Sequence, residues 1–321
     1  MNVIYCADDN YARHAGISMM SLFEKNEGMD EITVYMISVS MSKENQKILE
    51  DLAGKYNRKI VFIEFEEYKD RLVLNNGDNE HPISAYARIF VDELLPKEVE
   101  RILYLDCDIL INDSLEELWN TDMKGRAVAS VQDICYSEFR GETGIKEPYR
   151  YFCSGVILMD MVEWRKQDCQ RKLIEYTESM KGVLRHHDQT ILNGVFGQDY
   201  IVLHPRYDVL TPLFLMRYKN LIAYYKCGDD YYTRKEIKEA VKNPAIIHFT
   251  QSQIGRPWEN DAHPLSHLYV ELQERSPWKG YPKGEFKPVL SELEDKVYKM
   301  YQKVPVELIN LRQTLKKLLK R

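Results

Sequence analysis

The first two-thirds of the chain alternate short β-rich apolar runs with segments of helical periodicity. This alternation is typical of βα units, which build a mainly parallel sheet flanked by helices. We therefore predict an α/β fold with a Rossmann-like sheet and a C-terminal helical extension. The predicted strands cover residues 2–7, 32–39, 59–65, 101–105, 127–131 and 156–160.

Two helices are predicted between these strands. The first begins after Ser42, a residue type that caps helix N-termini, and its apolar side chains recur at helical spacing. The second covers residues 83–95 and ends at Pro96, because proline cannot continue a helix.

The composition is that of a globular protein with an acidic balance. The 321 residues are 44% hydrophobic and carry a formal net charge of -6, which argues against general binding to nucleic-acid phosphates. The six cysteines form no CxxC pair, no secretory leader is evident, and no apolar run reaches the ~18 residues of a spanning helix. We expect a cytoplasmic protein with reduced thiols.

The chain is predicted to have three parts, an α/β domain (residues 1–275), a linker rich in proline and glycine (276–289) and a helical tail (290–321). One helical face of the tail is apolar and the others are mostly basic. This pattern fits peripheral docking on an anionic membrane surface, and it also fits a helix packed on the body. The apolar residues are Leu308, Leu311, Leu315, Leu318 and Leu319, and the basic residues are Arg312, Lys316, Lys317, Lys320 and Arg321.

Acidic residues follow two of the predicted strands. Asp8 and Asp9 come after the first strand, and Asp106 and Asp108 come after the strand at 101–105. Ligands of open α/β sheets bind beyond the carboxyl ends of the strands. Two carboxylates one residue apart repel each other unless a cation lies between them, and oxygen ligands favour Mg²⁺ or Mn²⁺. We therefore predict that Asp106 and Asp108 hold a divalent cation.

His248 ends another apolar run, at residues 245–249. A neutral imidazole there could complete the coordination of the cation, although a hydrogen-bonded core histidine gives the same pattern. A cation at this place would neutralise a nucleotide diphosphate and stabilise the charge of the leaving group.

Short motifs occur in a specific order along about residues 1–270. They are Ala7-Asp8-Asp9-Asn10-Tyr11, Tyr86-Ala87-Arg88, Leu103-Tyr104-Leu105-Asp106-Cys107-Asp108, Phe152-Cys153-Ser154-Gly155-Val156, His187-Asp188-Gln189, and His248-Phe249 followed by Arg256-Pro257-Trp258. This ordered set resembles glycosyltransferase family 8. The resemblance implies a GT-A fold, a UDP-hexose donor, Mn²⁺ with Mg²⁺ as the alternative, and transfer with retention of the anomeric configuration.

The resemblance also implies roles for single residues. Asp106, Asp108 and His248 match the metal ligands, and Asp188 and Gln189 match the catalytic pair beside the anomeric carbon. Without the family pattern, Asp188-Gln189 would be read as the cap of a helix at 189–196, and Asp133 as a turn acid. The implied donor contacts are Ala7, Asp8 and Asn10 at the uridine, Arg88, Cys107, Asp133, Ser154, Gly155, Asp188 and Gln189 around the donor and its sugar, and Gly255 and Arg256 at the diphosphate.

Three features depart from the family pattern. Cys153 stands where the family usually has asparagine, and Thr190 stands where it often has a second aspartate. The segment 250–255 is longer than the usual turn, and Arg256 replaces a lysine, although arginine also binds a diphosphate.

The expected function is transfer of galactose or glucose from a UDP-sugar to a saccharide or lipid-linked saccharide acceptor of a cell-surface glycan, such as a lipopolysaccharide. The expected place is the cytoplasm, with peripheral contact to the inner face of the cell membrane. Two alternatives stay open. A phosphatase of the haloacid dehalogenase type also has DxD after a strand, but on its first strand, and a sugar-nucleotide-binding protein without turnover would share the same site.

Overall fold

The computed structural model describes residues 1–65, 68, 71–72, 83–134, 141, 143–144, 150–184, 186–250, 252–288 and 290–311. Its strands are β1 Asn2–Asp8, β2 Thr33–Val39, β3 Lys59–Glu64, β4 Arg101–Leu105, β5 Ile109–Ile111, β6 Val128–Gln132, β7 Phe152–Asp160, β8 Ile201–Val202, β9 Val209–Leu210 and β10 Ile246–His248.

The helices surround these strands in chain order. They are α1 Ala12–Lys25, α2 Lys43–Lys55, α3 Val91–Leu94, α4 Glu116–Trp119, α5 Met161–Lys166, α6 Cys169–Ser179, α7 His187–Phe196, α8 Thr211–Leu215, α9 Tyr218–Tyr225, α10 Arg234–Lys242, α11 Ser266–Arg275 and α12 Glu292–Lys303, with 3₁₀ helices at Ile83–Phe90 and Pro205–Tyr207.

The main sheet has the strand order β3-β2-β1-β4-β7-β6-β8. Neighbouring strands are parallel except at β7, which is antiparallel to both β4 and β6. Alternate side chains of one strand enter two separate cores, because successive residues of a strand point to opposite faces. In β1, Val3 and Tyr5 join the core with α1 and α2, whereas Ile4 and Cys6 join the core with α6 and α7. The predicted α/β sheet flanked by helices is therefore confirmed.

A second sheet of three short strands, β5-β10-β9, lies beside the main sheet. β10 pairs antiparallel with β5 and parallel with β9, and this register sets His248 opposite Ile109. Because Ile109 directly follows Asp108, the pairing brings the imidazole of His248 to the acidic motif.

The prediction of a single helix at 83–95 was wrong in type. Residues Ile83–Phe90 form a 3₁₀ helix, and only α3 continues it as an α-helix. The tighter winding lets the Nε of Arg88 donate to the carbonyl of Ala85 at 3.0 Å while the guanidinium stays buried. A 3₁₀ segment of this length is uncommon and often marks a functional region. The helix after Ser42 is confirmed as α2, with the Ser42 hydroxyl accepting from the backbone N–H of Asn45.

The C-terminal part of the chain packs on the body. The buried indole of Trp278 lies against Gly16 of α1, in a place that any larger residue would fill. The buried amide of Asn220 donates to the carbonyls of Tyr301 and Val304 and accepts from the N–H of Val306. Within the described ranges, no helix is both long and apolar enough to cross a membrane.

Candidate active site

A cavity of about 420 Å³ opens at the carboxyl ends of β1 and β4. Its walls come from these strand ends, the 3₁₀ helix, the start of α7 and the segment after β10. The predicted residues that line it are Arg88, Asp106, Cys107, Asp108, Ser154, Asp188, Gln189, His248 and Arg256. The fold thus brings together residues that are spread over about 170 positions of the sequence.

Asp106, Asp108 and His248 form the acidic end of this cavity. The Nε2 of His248 lies 3.2 Å from Oδ1 of Asp108 and 3.9 Å from Oδ2 of Asp106. One ligand atom from each residue falls within 4.8 Å of the others, which is close enough to share one ion. Two carboxylates and one imidazole are a donor set that suits Mn²⁺, and Mg²⁺ less well because of the nitrogen. The residues therefore fit the divalent cation that the sequence predicted.

The backbone of the main sheet holds the acidic motif in place. The N–H of Asp106 donates to the carbonyl of Gly155 at 2.8 Å, and the N–H of Phe249 donates to the carbonyl of Asp108 at 2.8 Å. Gly155 also leaves the space in which His248 lies, since a Cβ at this position would be 2.2 Å from Cε1 of the imidazole. Gly155 therefore shapes the metal site from behind and does not line the cavity.

Two arginines lie against the acidic motif. The Nη2 of Arg88 is 2.9 Å from Oδ1 of Asp106, and the Nη2 of Arg256 is 3.0 Å from Oδ2 of Asp108. Burial alone would raise the pKa of Asp108, but His248 and Arg256 hold that pKa below its ordinary value. Burial alone would lower the pKa of His248, but Asp208 and Asp108 hold it well above its ordinary value. The site therefore balances two carboxylates with three cationic groups.

Gln189 is held at both ends of its amide. Its Oε1 accepts from the backbone N–H of Ser154 at 2.9 Å, and its Nε2 donates to Oδ2 of Asp133 at 2.8 Å. Burial raises the pKa of Asp133 to about 6. Asp188 is buried beside Arg88, with 3.3 Å between its Oδ2 and the arginine Nε. The predicted catalytic pair is thus fixed within the cavity wall, and Asp133 acts on the cavity through Gln189.

The two departures from the family pattern have structural partners. Thr190 is buried, and its hydroxyl accepts from the backbone N–H of His186 at 2.9 Å at the start of α7. The Sγ of Cys153 lies 3.9 Å from Nδ1 of His248. Thr190 therefore supports the helix that carries Gln189, and Cys153 packs beside a predicted metal ligand.

Other predicted donor contacts lie beside the cavity and do not line it. The carboxylate of Asp8 accepts from the N–H of Tyr11 at 2.9 Å and so closes the turn after β1. Asn10 lines a second cavity, separated from the first by Tyr11, which lines both. Ala7 is buried in the sheet, and the turn at Gly255 packs against Phe286.

Sequence reasoning missed two residues of the site. The hydroxyl of Tyr104 donates to Oδ1 of Asp106 at 2.9 Å, and Oδ1 of Asp208 lies 2.9 Å from Nδ1 of His248. Tyr104 stands in a quoted motif, so its alternation with Asp106 on the strand could have indicated it. Asp208 precedes a strand of only two residues, which carries no periodic signal.

Comparisons with known proteins agree with this geometry. The family model "Glycosyl transferase family 8" matches residues 2–262. General stress protein A of Bacillus subtilis is 31% identical over 283 residues, which cover 87% of this chain and 94% of that protein. A lipopolysaccharide 1,2-glucosyltransferase of Escherichia coli is 29% identical over 321 residues, with coverage of 94% and 86%.

Solved structures show the same fold. The galactosyltransferase LgtC, solved with donor and acceptor sugar analogs, superposes with a TM-score of 0.69 at 24% identity and covers 86% of this chain and 96% of its own. The family match gives no support to the phosphatase alternative, whose motif belongs on a first strand, whereas Asp106 follows β4. The chain belongs to glycosyltransferase family 8.

Proposed function

We propose that this glycosyltransferase is a Mn²⁺-dependent, retaining hexosyltransferase that uses UDP-galactose or UDP-glucose. The observation that carries the proposal is the convergence of Asp106, Asp108 and His248 within 4.8 Å, in a cavity that Gln189 also lines. Family 8 enzymes are metal-dependent and use sugar-nucleotide donors. The similarity to a lipopolysaccharide glucosyltransferase supports a saccharide acceptor of a cell-surface glycan, free or lipid-linked.

The bound cation would act as a Lewis acid on the diphosphate and stabilise the charge of the leaving group. Asp106, Asp108 and His248 would hold it. Arg256 stands beside Asp108, so its planar guanidinium can bind phosphate oxygens in a bidentate manner. The cavity wall excludes water from this end, which strengthens each of these electrostatic contacts.

We propose that retention occurs by attack on the same face that the leaving group departs from. A covalent intermediate would need a free carboxylate at the anomeric carbon, but Asp188 is paired with Arg88 and Thr190 offers only a hydroxyl that is already hydrogen-bonded. The leaving phosphate would take the proton of the acceptor hydroxyl. The Oε1 of Gln189 is the polar atom of this pair that can face the positive charge developing on the sugar.

The test of this function is release of UDP from UDP-galactose and UDP-glucose with Mn²⁺, measured with and without saccharide acceptors. We expect release that depends on the acceptor, and NMR of the first product should show an α-linkage formed from the α-linked donor. A β-linked product would contradict retention. Binding of UDP-sugar without release under any acceptor would favour the binding protein without turnover.

The C-terminal tail is proposed to dock on an anionic membrane surface and so bring the cavity to a lipid-linked acceptor. In the described part of the tail, Val306 and Ile309 are buried on the body, whereas Leu308 and Leu311 are exposed. The exposed pair belongs to the apolar face predicted from the sequence, and residues 312–321, with all five basic side chains, lie outside the described residues.

We expect the full-length protein to sediment with anionic liposomes and less with neutral ones. Each Lys or Arg contributes on the order of 1 kcal/mol near an anionic surface, and binding should weaken with salt as the Debye length falls from ~10 Å at 0.1 M to ~3 Å at 1 M. A chain ending at Lys303 should lose binding. Because this truncation removes two buried side chains, a full-length variant with Lys316, Lys317 and Lys320 replaced by Gln should behave alike, whereas Lys296→Gln on α12 should not.

Equal liposome binding by the full-length and shortened chains would make the tail a packing helix. The same conclusion would follow if neither chain bound. The UDP-release assay with a soluble acceptor is independent of this result.

A further inference from the structure

The two ring nitrogens of His248 face different carboxylates. Its Nε2 points to the proposed metal site, 3.2 Å from Asp108, whereas Nδ1 lies 2.9 Å from Oδ1 of Asp208 on the opposite side of the ring. The ring is also limited by its neighbours, since Gly155 offers just enough room on one side and the Sγ of Cys153 lies 3.9 Å from Nδ1. The orientation of the imidazole is therefore determined by contacts that do not include the metal.

Asp208 is placed by rigid structure. It directly precedes β9, which pairs in parallel with the strand that carries His248, and its own N–H donates to the carbonyl of Pro205. The side chain is fully buried. Among the described residues, none donates a hydrogen bond to its Oδ2, and a buried carboxylate with an open oxygen is costly to the fold. A neutral residue would serve folding alone better, so the charge has another use.

We propose that Asp208 is a positioning residue, which holds His248 in the orientation and tautomer that the divalent cation requires. Accepting the proton of Nδ1 leaves the lone pair of Nε2 directed at the space between Asp106 and Asp108. A carboxylate on the far nitrogen also makes an imidazole a stronger ligand, and loss of such a partner typically weakens metal affinity 10- to 100-fold. The proposal rests on the metal site of the proposed function.

The test is the Kd of Mn²⁺ for the full chain, measured at pH 8 from the electron paramagnetic resonance signal of free Mn²⁺. We expect Asp208→Asn to raise this Kd by roughly 10- to 100-fold. Its melting temperature without metal should stay equal or rise, because the amide can satisfy a polar site that the carboxylate leaves open. At saturating Mn²⁺ the variant should recover most of its kcat, since Asp208 acts through His248 and not on the substrate.

The matched control is Asp113→Asn, which removes the same charge near the same segment. Asp113 is half-exposed and pairs with Arg206, two residues before Asp208, at 2.5 Å. This variant should leave the Kd of Mn²⁺ within twofold of wild type. If Asp208→Asn does not fold, Asp208→Ser is measured in its place with the same expectation.

A folded Asp208 variant that binds Mn²⁺ as tightly as wild type would overturn the proposal. So would a lower melting temperature with unchanged affinity, which is the mark of a purely structural role. A stoichiometry of two Mn²⁺ per chain that falls to one in Asp208→Asn would make Cys153, Asp208 and His248 a second metal site and also overturn it. If the wild-type chain binds no Mn²⁺ even with UDP, the proposed function fails first.

Discussion

Replacing either carboxylate of the acidic motif with its amide is expected to abolish Mn²⁺-dependent transfer. Asp106→Asn and Asp108→Asn each remove a charged ligand, and losing the cation forfeits several kcal/mol of leaving-group stabilisation, so kcat/KM should fall by about 10³-fold or more. The fold should survive, because the amide oxygen introduced by Asp106→Asn can still accept from Arg88 and Tyr104, the partners of the native carboxylate.

The measurement is kcat/KM as a function of Mn²⁺, with a thermal melt of each variant. Asp199→Asn is the control, since that acid pairs with Arg126 at the surface, far from the motif in its contacts. Excess chelator should reduce wild-type turnover to the level of the variants. Full activity in either variant, or in chelator, would remove the metal from the reaction.

Gly155→Ala is expected to cost about 10²-fold in kcat/KM, since a displacement of roughly 1 Å in a catalytic group has an effect of that size. The new methyl carbon would lie 2.2 Å from Cε1 of His248, 2.7 Å from its Nδ1 and 3.1 Å from Oδ2 of Asp106. Neither partner is a flexible chain end, because His248 is held by Asp208 and Asp106 by Arg88. The imidazole must move, and the Kd of Mn²⁺ should rise with it.

Two other glycines separate this effect from the substitution itself. A Cβ at Gly28 would meet nothing within 4 Å, so Gly28→Ala should change neither activity nor stability by much. A Cβ at Gly16 would be 2.2 Å from the ring of Trp278, so Gly16→Ala should lower the melting temperature and leave Mn²⁺ affinity intact. Unchanged Mn²⁺ affinity in Gly155→Ala would show that the site adapts to the methyl group.

The main sheet could be predicted from the sequence because its strands are long enough to show their pattern. All six predicted strands exist, with bounds that differ by a few residues at most. The acids at the ends of β1 and β4 could be weighed for the same reason. The small sheet could not be predicted, since β5, β9 and β10 have two or three residues each and form through pairing between distant segments.

The partners of the site residues were harder to predict than the residues themselves. His248 was expected near the cation, but its contact with Asp208 depends on how β9 pairs with β10. Arg256 was expected at a diphosphate, and its contact with Asp108 depends on the path of the segment after β10. Side-chain pairs of this kind are set by tertiary packing, which periodicity in one segment does not encode.

The packing of the C-terminal part on α1 has a consequence for synthesis of the chain. His14 bonds to Tyr269, and Gly16 accommodates Trp278, so the helix beside the nucleotide end of the cavity waits for partners about 260 residues later. At ribosomal rates of about 5–20 residues per second, that interval is roughly 13 to 52 seconds. During it, one apolar side of α1 is uncovered, and the nascent enzyme must avoid aggregation there until its last third emerges.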